Sequence, residues 1–259
     1  MALLDALRFV GHRLPHWPKT HAVTNRVLKP LYTQFDRGAV TSNVLGFRME
    51  LDPTECVDAM LLFSPQLYDP DEVAFIKEHV RGGDVFVDVG ANIGFYTLLA
   101  AGLVGESGRV LAVEADPANY GCLVDNLERN GVESATAVQV GVSDRQEVLR
   151  LSLHQRGNKG GHSFASAGGA GVEVQCDTLC RVLSRAGVGR VDFMKMDIEG
   201  FEYRALSEFF AACDESLFPT YLQYEHTHLS SDELRDLVDG YGYEEVLLTP
   251  YNRVVHRGR

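Results

Sequence analysis

The chain has 259 residues, 45% of them hydrophobic and 23% charged, with a formal net charge of −12. This length supports one full hydrophobic core, and no apolar run is long enough to span a bilayer. Asp5, Arg8 and His12 interrupt the apolar N-terminus, which is atypical of a secretory signal peptide. The five cysteines form no C-x-x-C pair, so we expect no disulfide framework, core thiols at Cys176 and Cys180, and a cytoplasmic protein.

The charge is unevenly distributed along the chain. Residues 1–40 carry six Lys and Arg side chains against two Asp, a balance of +4, which leaves −16 for the rest. An acidic body repels a phosphate backbone, so we expect no nucleic-acid partner. A solvated helix face is the first interpretation of the basic segment. Contact with an anionic membrane surface or an acidic partner protein is the alternative.

Residues 1–67 are predicted to form a helical cap in front of one α/β domain, residues 68–259. Within the cap, residues 44–51 have the partial alternation of a strand, with a hairpin as an alternative. Asp69 is predicted to cap a helix that begins at Pro70. The prolines expected to interrupt the cap helices are Pro15, Pro18 and Pro30.

Residues 84–98 have the pattern of a strand, a glycine turn and a helix. The opening apolar run is typical of a strand that is buried on both faces. Gly90 permits a sharp turn, and Gly94 lets helix and strand approach closely. Free N–H groups at the start of a helix suit an anionic or polar ligand. A second apolar run follows and ends at Glu114, so the segment is predicted to be a nucleotide-binding corner.

The dinucleotide pattern G-x-G-x-x-G is absent from this corner, because Asn92 and Phe95 occupy its second and third glycine positions. A side chain at the second position suits a ligand without a pyrophosphate. The pattern D-x-G-x-N-x-G with an acid about twenty residues later is typical of S-adenosylmethionine binding. Glu114 is that acid, and its carboxylate is placed to accept both ribose hydroxyls. A nicotinamide oxidoreductase is therefore disfavoured.

The rest of the chain continues the alternation of strands and helices and then departs from it. A glycine-rich loop over residues 157–169 is predicted to be an active-site lid. Asp177 is predicted to cap a helix, and the C-terminus is predicted to be an antiparallel hairpin. The predicted strands cover residues 138–142, 148–153, 172–176, 191–197, 221–225, 243–248 and 253–256.

Ligands bind outside the carboxyl ends of the strands in an open parallel sheet. The polar residues at those ends therefore predict the site. Lys195 shares a strand face with Asp197, and a structural ion pair is as good an interpretation as catalysis for either residue. The polar residues that follow the strands are Asp88, Glu114, Ser143, Asp144, Asp197, Glu199, Glu225 and His226.

Three features together resemble the FkbM family of S-adenosylmethionine-dependent methyltransferases. They are the D-x-G-x-N-x-G turn, the K-x-D-x-E-G-x-E run from Lys195 to Glu202, and the late Glu225. The resemblance implies a Rossmann-like α/β fold with a seven-stranded, mostly parallel sheet whose last strand is antiparallel. It also implies transfer of a methyl group to a hydroxyl of a sugar, polyketide or other secondary metabolite, as in natural product biosynthesis, with S-adenosylhomocysteine as product.

The sequence is also compatible with two other functions. One is N-methylation of a peptide or protein side chain, with the cap docking the peptide. The other is a binding module that keeps the S-adenosylmethionine pocket without turnover. The acceptor and the oligomeric state are not indicated by the sequence.

The candidate residues divide by role. Lys195, Asp197, Glu199 and His226 are the catalytic candidates, with Glu199, Asp197 or His226 as base and Lys195 as the group that orients or stabilises charge. We assign acceptor contacts to Tyr68, Asn158, His162 and Glu225. The cofactor is assigned to Asp88, Gly90, Ala91, Asn92, Gly94, Glu114, Ala115, Asn119, Val142, Ser143, Asp144 and Asp197.

No spacing in the sequence is diagnostic of a metal, so no metal ligand is assigned. The alternative is that Asp197, Glu199 and Glu225 hold a divalent cation that polarises the acceptor oxygen.

Overall fold

A seven-stranded sheet forms the centre of the computed structural model, which describes residues 2–16, 20–35, 38–152, 171–227 and 231–258. Its order is β11-β12-β10-β9-β3-β4-β5, and β12 runs antiparallel to both of its neighbours. The predicted mostly parallel, Rossmann-like sheet with an antiparallel last strand is confirmed. The strands are β3 (Val85–Val89), β4 (Arg109–Glu114), β5 (Ala135–Gln139), β9 (Phe193–Met196), β10 (Tyr221–Glu225), β11 (Glu244–Leu248) and β12 (Asn252–His256).

Helices cover both faces of this sheet. The central strands β3, β4 and β9 are almost fully buried, which explains why their sequences are apolar runs rather than alternating patterns. One face is covered by α5 (Pro70–His79), α6 (Phe95–Val104) and α7 (Pro117–Arg129), and the other by α8 (Leu179–Arg185), α9 (Glu202–Ala212) and α10 (Ser231–Gly240).

The N-terminal segment packs on the α5–α7 side and shares its core. Leu7, Leu28 and Tyr32 are buried in the same cluster as Phe63 and Phe86. Its elements are α1 (Ala2–Gly11), α2 (His21–Val23), a π-helical turn (Thr24–Leu28), α3 (Lys29–Thr33), β1 (Val40–Val44), β2 (Phe47–Leu51) and α4 (Cys56–Phe63).

Three sequence expectations for this segment need correction. Pro30 is the second residue of α3, and the π-helical turn before it continues into α3 without a break, so Pro30 does not interrupt the helix. Residues 44–51 are not one strand but belong to a β1–β2 hairpin, the alternative that the sequence left open, which turns at Leu45 and Gly46, both with positive φ. Helix α4 was not predicted, because its residues are apolar on nearly every side. No helix in the described ranges is both long and apolar enough to cross a membrane.

A separate three-stranded sheet holds the segment between β5 and α8. It has the order β6-β8-β7, with β6 (Gly141–Val142), β7 (Glu147–Ser152) and β8 (Gly171–Asp177). The predicted strand 138–142 is therefore two strands, divided where the Val140 N–H donates to the Glu114 carbonyl. The two strands predicted on either side of the glycine loop are confirmed as β7 and β8, and they pair with each other in antiparallel orientation.

Asp177 does not cap α8 as expected. It ends β8, and Thr178 is the N-cap residue. The Asp177 carboxylate instead pairs with Arg181 and Arg185 of the helix. A cap requires the side chain to face the first turn, whereas these arginines lie one and two turns along the helix.

The cysteine expectation is correct for Cys176 and wrong for Cys180. Cys176 is a buried free thiol in the small sheet. Cys180 on α8 forms a disulfide with Cys213, which follows α9, and their Cα atoms are 5.6 Å apart. The pairing joins two helices that pack on the same face, a juxtaposition that spacing in the sequence does not reveal.

Phe193 provides a test of the central core. Its ring stacks on Phe86 with centroids 5.0 Å apart, and both side chains are fully buried. We expect Phe193→Ala to lower the free energy of unfolding by about 3–5 kcal/mol, because it removes apolar contact and leaves a cavity. Urea unfolding measures this, with Tyr251→Ala, at a 53% exposed side chain, as the control. A loss no larger than the control's would contradict this account of the core.

Candidate functional site

The glycine turn after β3 lies against the backbone that follows β9. Gly90 has φ +78°, and a Cβ on it would overlap the carbonyl oxygen of Asp197. The Asp197 N–H donates to the Val89 carbonyl at 3.0 Å, so the two segments continue the pairing of their strands. This contact brings the glycine turn and the Lys195 run to one edge of the sheet.

Gly94 has a different partner from the one expected. It has φ +91°, and a Cβ there would lie 2.7 Å from Leu123 Cδ1. The glycine therefore admits α7 against the start of α6, rather than bringing a helix close to a strand. It does not line the cavity described next.

A cavity opens at the carboxyl edge of β3, β4 and β9. Eleven residues predicted for the site line it, so the structure brings together most of the sequence prediction. These eleven are Tyr68, Gly90, Ala91, Asn92, Glu114, Ala115, Asn119, Val142, Lys195, Asp197 and Glu199.

Glu114 lies at the end of β4 and is 7% exposed. Its two carboxylate oxygens accept backbone N–H groups, one from Asn92 at 2.7 Å and one from Asp116 at 2.8 Å. Burial nevertheless raises the pKa of this carboxyl to about 7, because the two N–H donors compensate only part of the lost hydration. Each oxygen keeps a lone pair for a further donor from the cavity.

Lys195 is a buried cation held by carboxylates. Its Nζ donates to Asp197 Oδ2 at 3.2 Å and lies 5.0 Å from the centroid of the Tyr96 ring. Burial opposes the charge, but Asp197 and Asp88 outweigh it and raise the pKa of Lys195. The lysine is therefore a cation at neutral pH, placed next to the cavity.

Asp88 is fully buried beneath the cavity and does not line it, contrary to the direct cofactor contact that the sequence suggested. It is in register with Lys195 on the neighbouring strand. Its Oδ2 accepts the Thr97 hydroxyl at 2.6 Å. Burial raises the pKa of this carboxyl, and the charge of Lys195 counteracts the rise. Asp88 therefore stabilises the Lys195 cation electrostatically from the neighbouring strand.

Asp69 and Tyr96 form a hydrogen-bonded pair that the sequence analysis missed. The Tyr96 hydroxyl donates to Asp69 Oδ2 at 2.8 Å, and Tyr96 lines the cavity. Asp69 precedes α5 with φ +42° and makes no side-chain cap bond, so its carboxylate faces Tyr96 instead of the helix. Burial, with a contribution from Glu72, raises its pKa to about 7.

Three carboxylates meet beside the cavity. One oxygen each from Asp197, Glu199 and Glu225 lie within 4.8 Å of one another, as the sequence suggested for this edge. A divalent cation with oxygen ligands at 2.3–2.6 Å could bridge atoms at that spacing, and so could a protonated amine. Glu225 does not line the cavity itself.

Three other predicted residues lie outside the cavity lining. Ser143 and Asp144 are bound to Glu147 and to Arg204, which pairs with both acids. Their assignment to the cofactor stays a prediction, since neither residue lines the cavity. His226 Nε2 lies 2.9 Å from the Thr249 carbonyl, so the ring is engaged with the β11–β12 connection.

Two acceptor candidates, Asn158 and His162, lie outside the described residues. The structure also adds lining residues that sequence reasoning missed. Of these, Tyr96 had a usable signal, because it is the second residue of the helix that follows the glycine turn. The others are mostly apolar and were not distinguishable from core: Val57, Val89, Ile93, Phe95, Val113, Asp116, Val140, Gly141, Leu151 and Ile198.

Solved structures that are similar to this chain include several methyltransferases. A methyltransferase FkbM from Methylobacillus flagellatus KT is 20% identical, with a TM-score of 0.48, and the match covers 77% of this chain and 52% of that one. The METTL16 methyltransferase domain is 13% identical, with a TM-score of 0.50, covering 83% and 75%. An rRNA methylase from Streptococcus thermophilus is 13% identical, with a TM-score of 0.49, covering 73% and 95%. No curated protein matches the sequence.

The sheet order and the cavity at its carboxyl edge define a Rossmann-like methyltransferase fold. Residues 88–245, more than half of the chain, match the methyltransferase FkbM domain. The chain therefore belongs to the FkbM family of S-adenosylmethionine-dependent methyltransferases.

Gly90 provides a test of the contact that assembles the site. We expect Gly90→Ala to lower the free energy of unfolding by roughly 1–3 kcal/mol, because the new Cβ meets the Asp197 carbonyl at a left-handed φ. Gly121→Ala on α7 is the matched control, with nothing within 4 Å of its new Cβ. It should stabilise by about 0.5–1 kcal/mol. Equal effects in urea unfolding of both variants would refute the proposed contact.

Asp69 provides a test of the buried carboxyl. A folded pKa raised from 3.8 to about 7 adds stability at low pH that is lost as the pH rises through about 7. Asp69→Asn keeps an oxygen for Tyr96 and tolerates the positive φ. We expect it to be more stable than wild type by roughly 2–4 kcal/mol at pH 8, with the difference vanishing near pH 4. A stability difference between Asp69→Asn and wild type that does not change with pH across this range would show that Asp69 titrates normally.

Proposed function

We propose that this methyltransferase acts on a hydroxyl of a small molecule such as a sugar, a polyketide or another secondary metabolite. The observation that carries the proposal is that both groups of predicted residues line one cavity. The glycine turn and Glu114 lie at one end of it, and Lys195, Asp197 and Glu199 lie at the other. A cofactor-binding wall and a set of proton-transfer groups therefore face the same space.

The donor set fits S-adenosylmethionine. We assign the backbone of Gly90, Ala91 and Asn92 to its methionine end, Glu114 to its ribose, and Asn119 with Val142 to its adenine. Glu114 has lone pairs left after its two backbone bonds, which suits two ribose hydroxyls. When bound, the cofactor supplies an electrophilic methyl group on a sulfonium.

The residues at the other end are suited to prepare a hydroxyl. A neutral hydroxyl is a poor nucleophile and needs a base near its proton. Asp197 and Glu199 line the cavity and are the two candidates, whereas His226 is held by the Thr249 carbonyl. Lys195 donates to Asp197 and so orients that carboxylate, while its charge stabilises the developing alkoxide.

N-methylation of an amine is the second candidate function. The observation in its favour is the group of three carboxylates within 4.8 Å, which suits a protonated amine more than a neutral hydroxyl.

A binding module without turnover is the third candidate. An RNA acceptor is disfavoured by the net charge of −12, although similar folds include an rRNA methylase. The cytoplasmic location stays a prediction. The Cys180–Cys213 disulfide argues against it, because disulfides are rare in cytosolic proteins.

Cofactor binding is tested by calorimetric titration with S-adenosylhomocysteine, with NAD alongside. We expect tight binding of the first ligand and none of the second. Glu114→Ala should weaken binding by about 1–3 kcal/mol, or roughly 5- to 150-fold, because charged hydrogen bonds to the ribose are lost. Glu106→Ala, at an exposed residue outside the cavity, is the control. Unchanged affinity in a folded Glu114→Ala protein would remove the ribose assignment.

The base is tested by turnover. Release of S-adenosylhomocysteine is followed with hydroxylated metabolites and amines as acceptors, and NMR of the product identifies the methylated atom. We expect Glu199→Gln to bind cofactor normally and to lose roughly 100- to 10,000-fold in kcat. His226→Ala is the comparison and should retain most activity, since its ring does not line the cavity. Full activity in Glu199→Gln would assign the role of base to Asp197. If NMR shows a methylated nitrogen, N-methylation replaces the hydroxyl proposal.

A further inference from the structure

The N-terminal segment presents an unusual amount of apolar surface. Of the twelve exposed large hydrophobic side chains in the described ranges, six lie before residue 36. Phe35 is 73% exposed, the highest of the twelve, and Phe9 is 60% exposed. We call these six side chains the cap surface: Leu3, Phe9, Val10, Val27, Leu31 and Phe35.

The side chains of the cap surface are different from those that pack the N-terminal segment against the core. In α1, Leu7 is buried, whereas Phe9 and Val10 point away from the core. In the second helical stretch, Leu28 and Tyr32 are buried, while Val27 and Leu31, four residues apart, are exposed on another side. Folding therefore does not account for these exposed side chains. Exposed apolar side chains that concentrate in one segment are typical of an interaction site.

Basic side chains are interleaved with the cap surface. The Arg13 guanidinium lies 3.5 Å from the centroid of the Phe9 ring, and Arg26 is exposed next to Val27. Residues 1–40 carry a balance of +4, against −16 for the rest of the chain. Helices with Phe and Leu among Lys and Arg are typical of segments that lie in the headgroup region of an anionic bilayer.

We propose that the cap surface binds an anionic membrane surface. Charge complementarity selects this partner and also its orientation, because an anionic bilayer attracts the basic cap and repels the acidic body. Five of the six exposed side chains lie on helices, and Phe35 lies in the turn after α3, so they suit insertion into headgroups. Helix α1 packs on α4, whose Val57 lines the cavity, so the cap links the membrane to the side of the molecule that holds the site. The inference does not depend on the identity of the methyl acceptor.

Vesicle flotation with the full chain tests the proposal. The probes are phosphatidylcholine vesicles with and without phosphatidylglycerol, at low and high salt. We expect binding only to the anionic vesicles, and weaker binding at high salt. Arg13→Glu with Arg26→Glu should lower the partition coefficient by roughly 20-fold or more, since each basic residue contributes about a factor of five. Phe9→Ser with Phe35→Ser should lower it by roughly 10-fold or more.

The matched control is Lys77→Glu with Tyr251→Ser, two exposed residues on the body, which should bind like wild type. Circular dichroism and S-adenosylhomocysteine titration establish that each variant folds. Absence of binding to anionic vesicles overturns the proposal, and so does equal loss in the control. A wild-type dimer that the phenylalanine variant converts to a monomer also overturns it, because a second copy then covers the cap surface.

Discussion

The backbone contact between Gly90 and Asp197 is the constraint on which the site depends. Gly90 lacks a side chain and has a left-handed φ, so the chain after β9 lies directly against the turn after β3. Two segments far apart in the sequence therefore share one cavity. The turn provides backbone groups for a cofactor, and the run from Lys195 to Glu199 provides charge for an acceptor. A Cβ at position 90 would separate these two walls.

Polarity increases toward the carboxyl edge of the sheet on the face that carries the site. Phe86 and Phe193 stack in one row, and the next row in register contains Asp88 and Lys195. Burying such charges is costly, and the pairing of Lys195 with Asp197 offsets the cost only when the geometry is complete. The apolar row provides the rigid base that this geometry requires, because close-packed side chains permit little movement.

Much of the fold follows from local patterns in the sequence. The apolar runs of β3 and β4 and the glycine turn that follows β3 each have a local physical cause, and each is where the sequence predicts it. Elements without such a local cause were missed or misplaced. Helix α4 is apolar all round, and Asp177 meets arginines of α8 that only packing brings near.

The site divides in the same way. The sequence by itself determined which residue types stand at the carboxyl ends of the strands, because strand periodicity and turn chemistry are local. Eleven of the residues predicted for the site line the cavity. Only the tertiary structure decided which polar groups face it: Asp144 is held by Arg204, His226 by Thr249, and Asp69 turns to Tyr96. Side-chain direction depends on partners from other elements, and no pattern along a single segment encodes them.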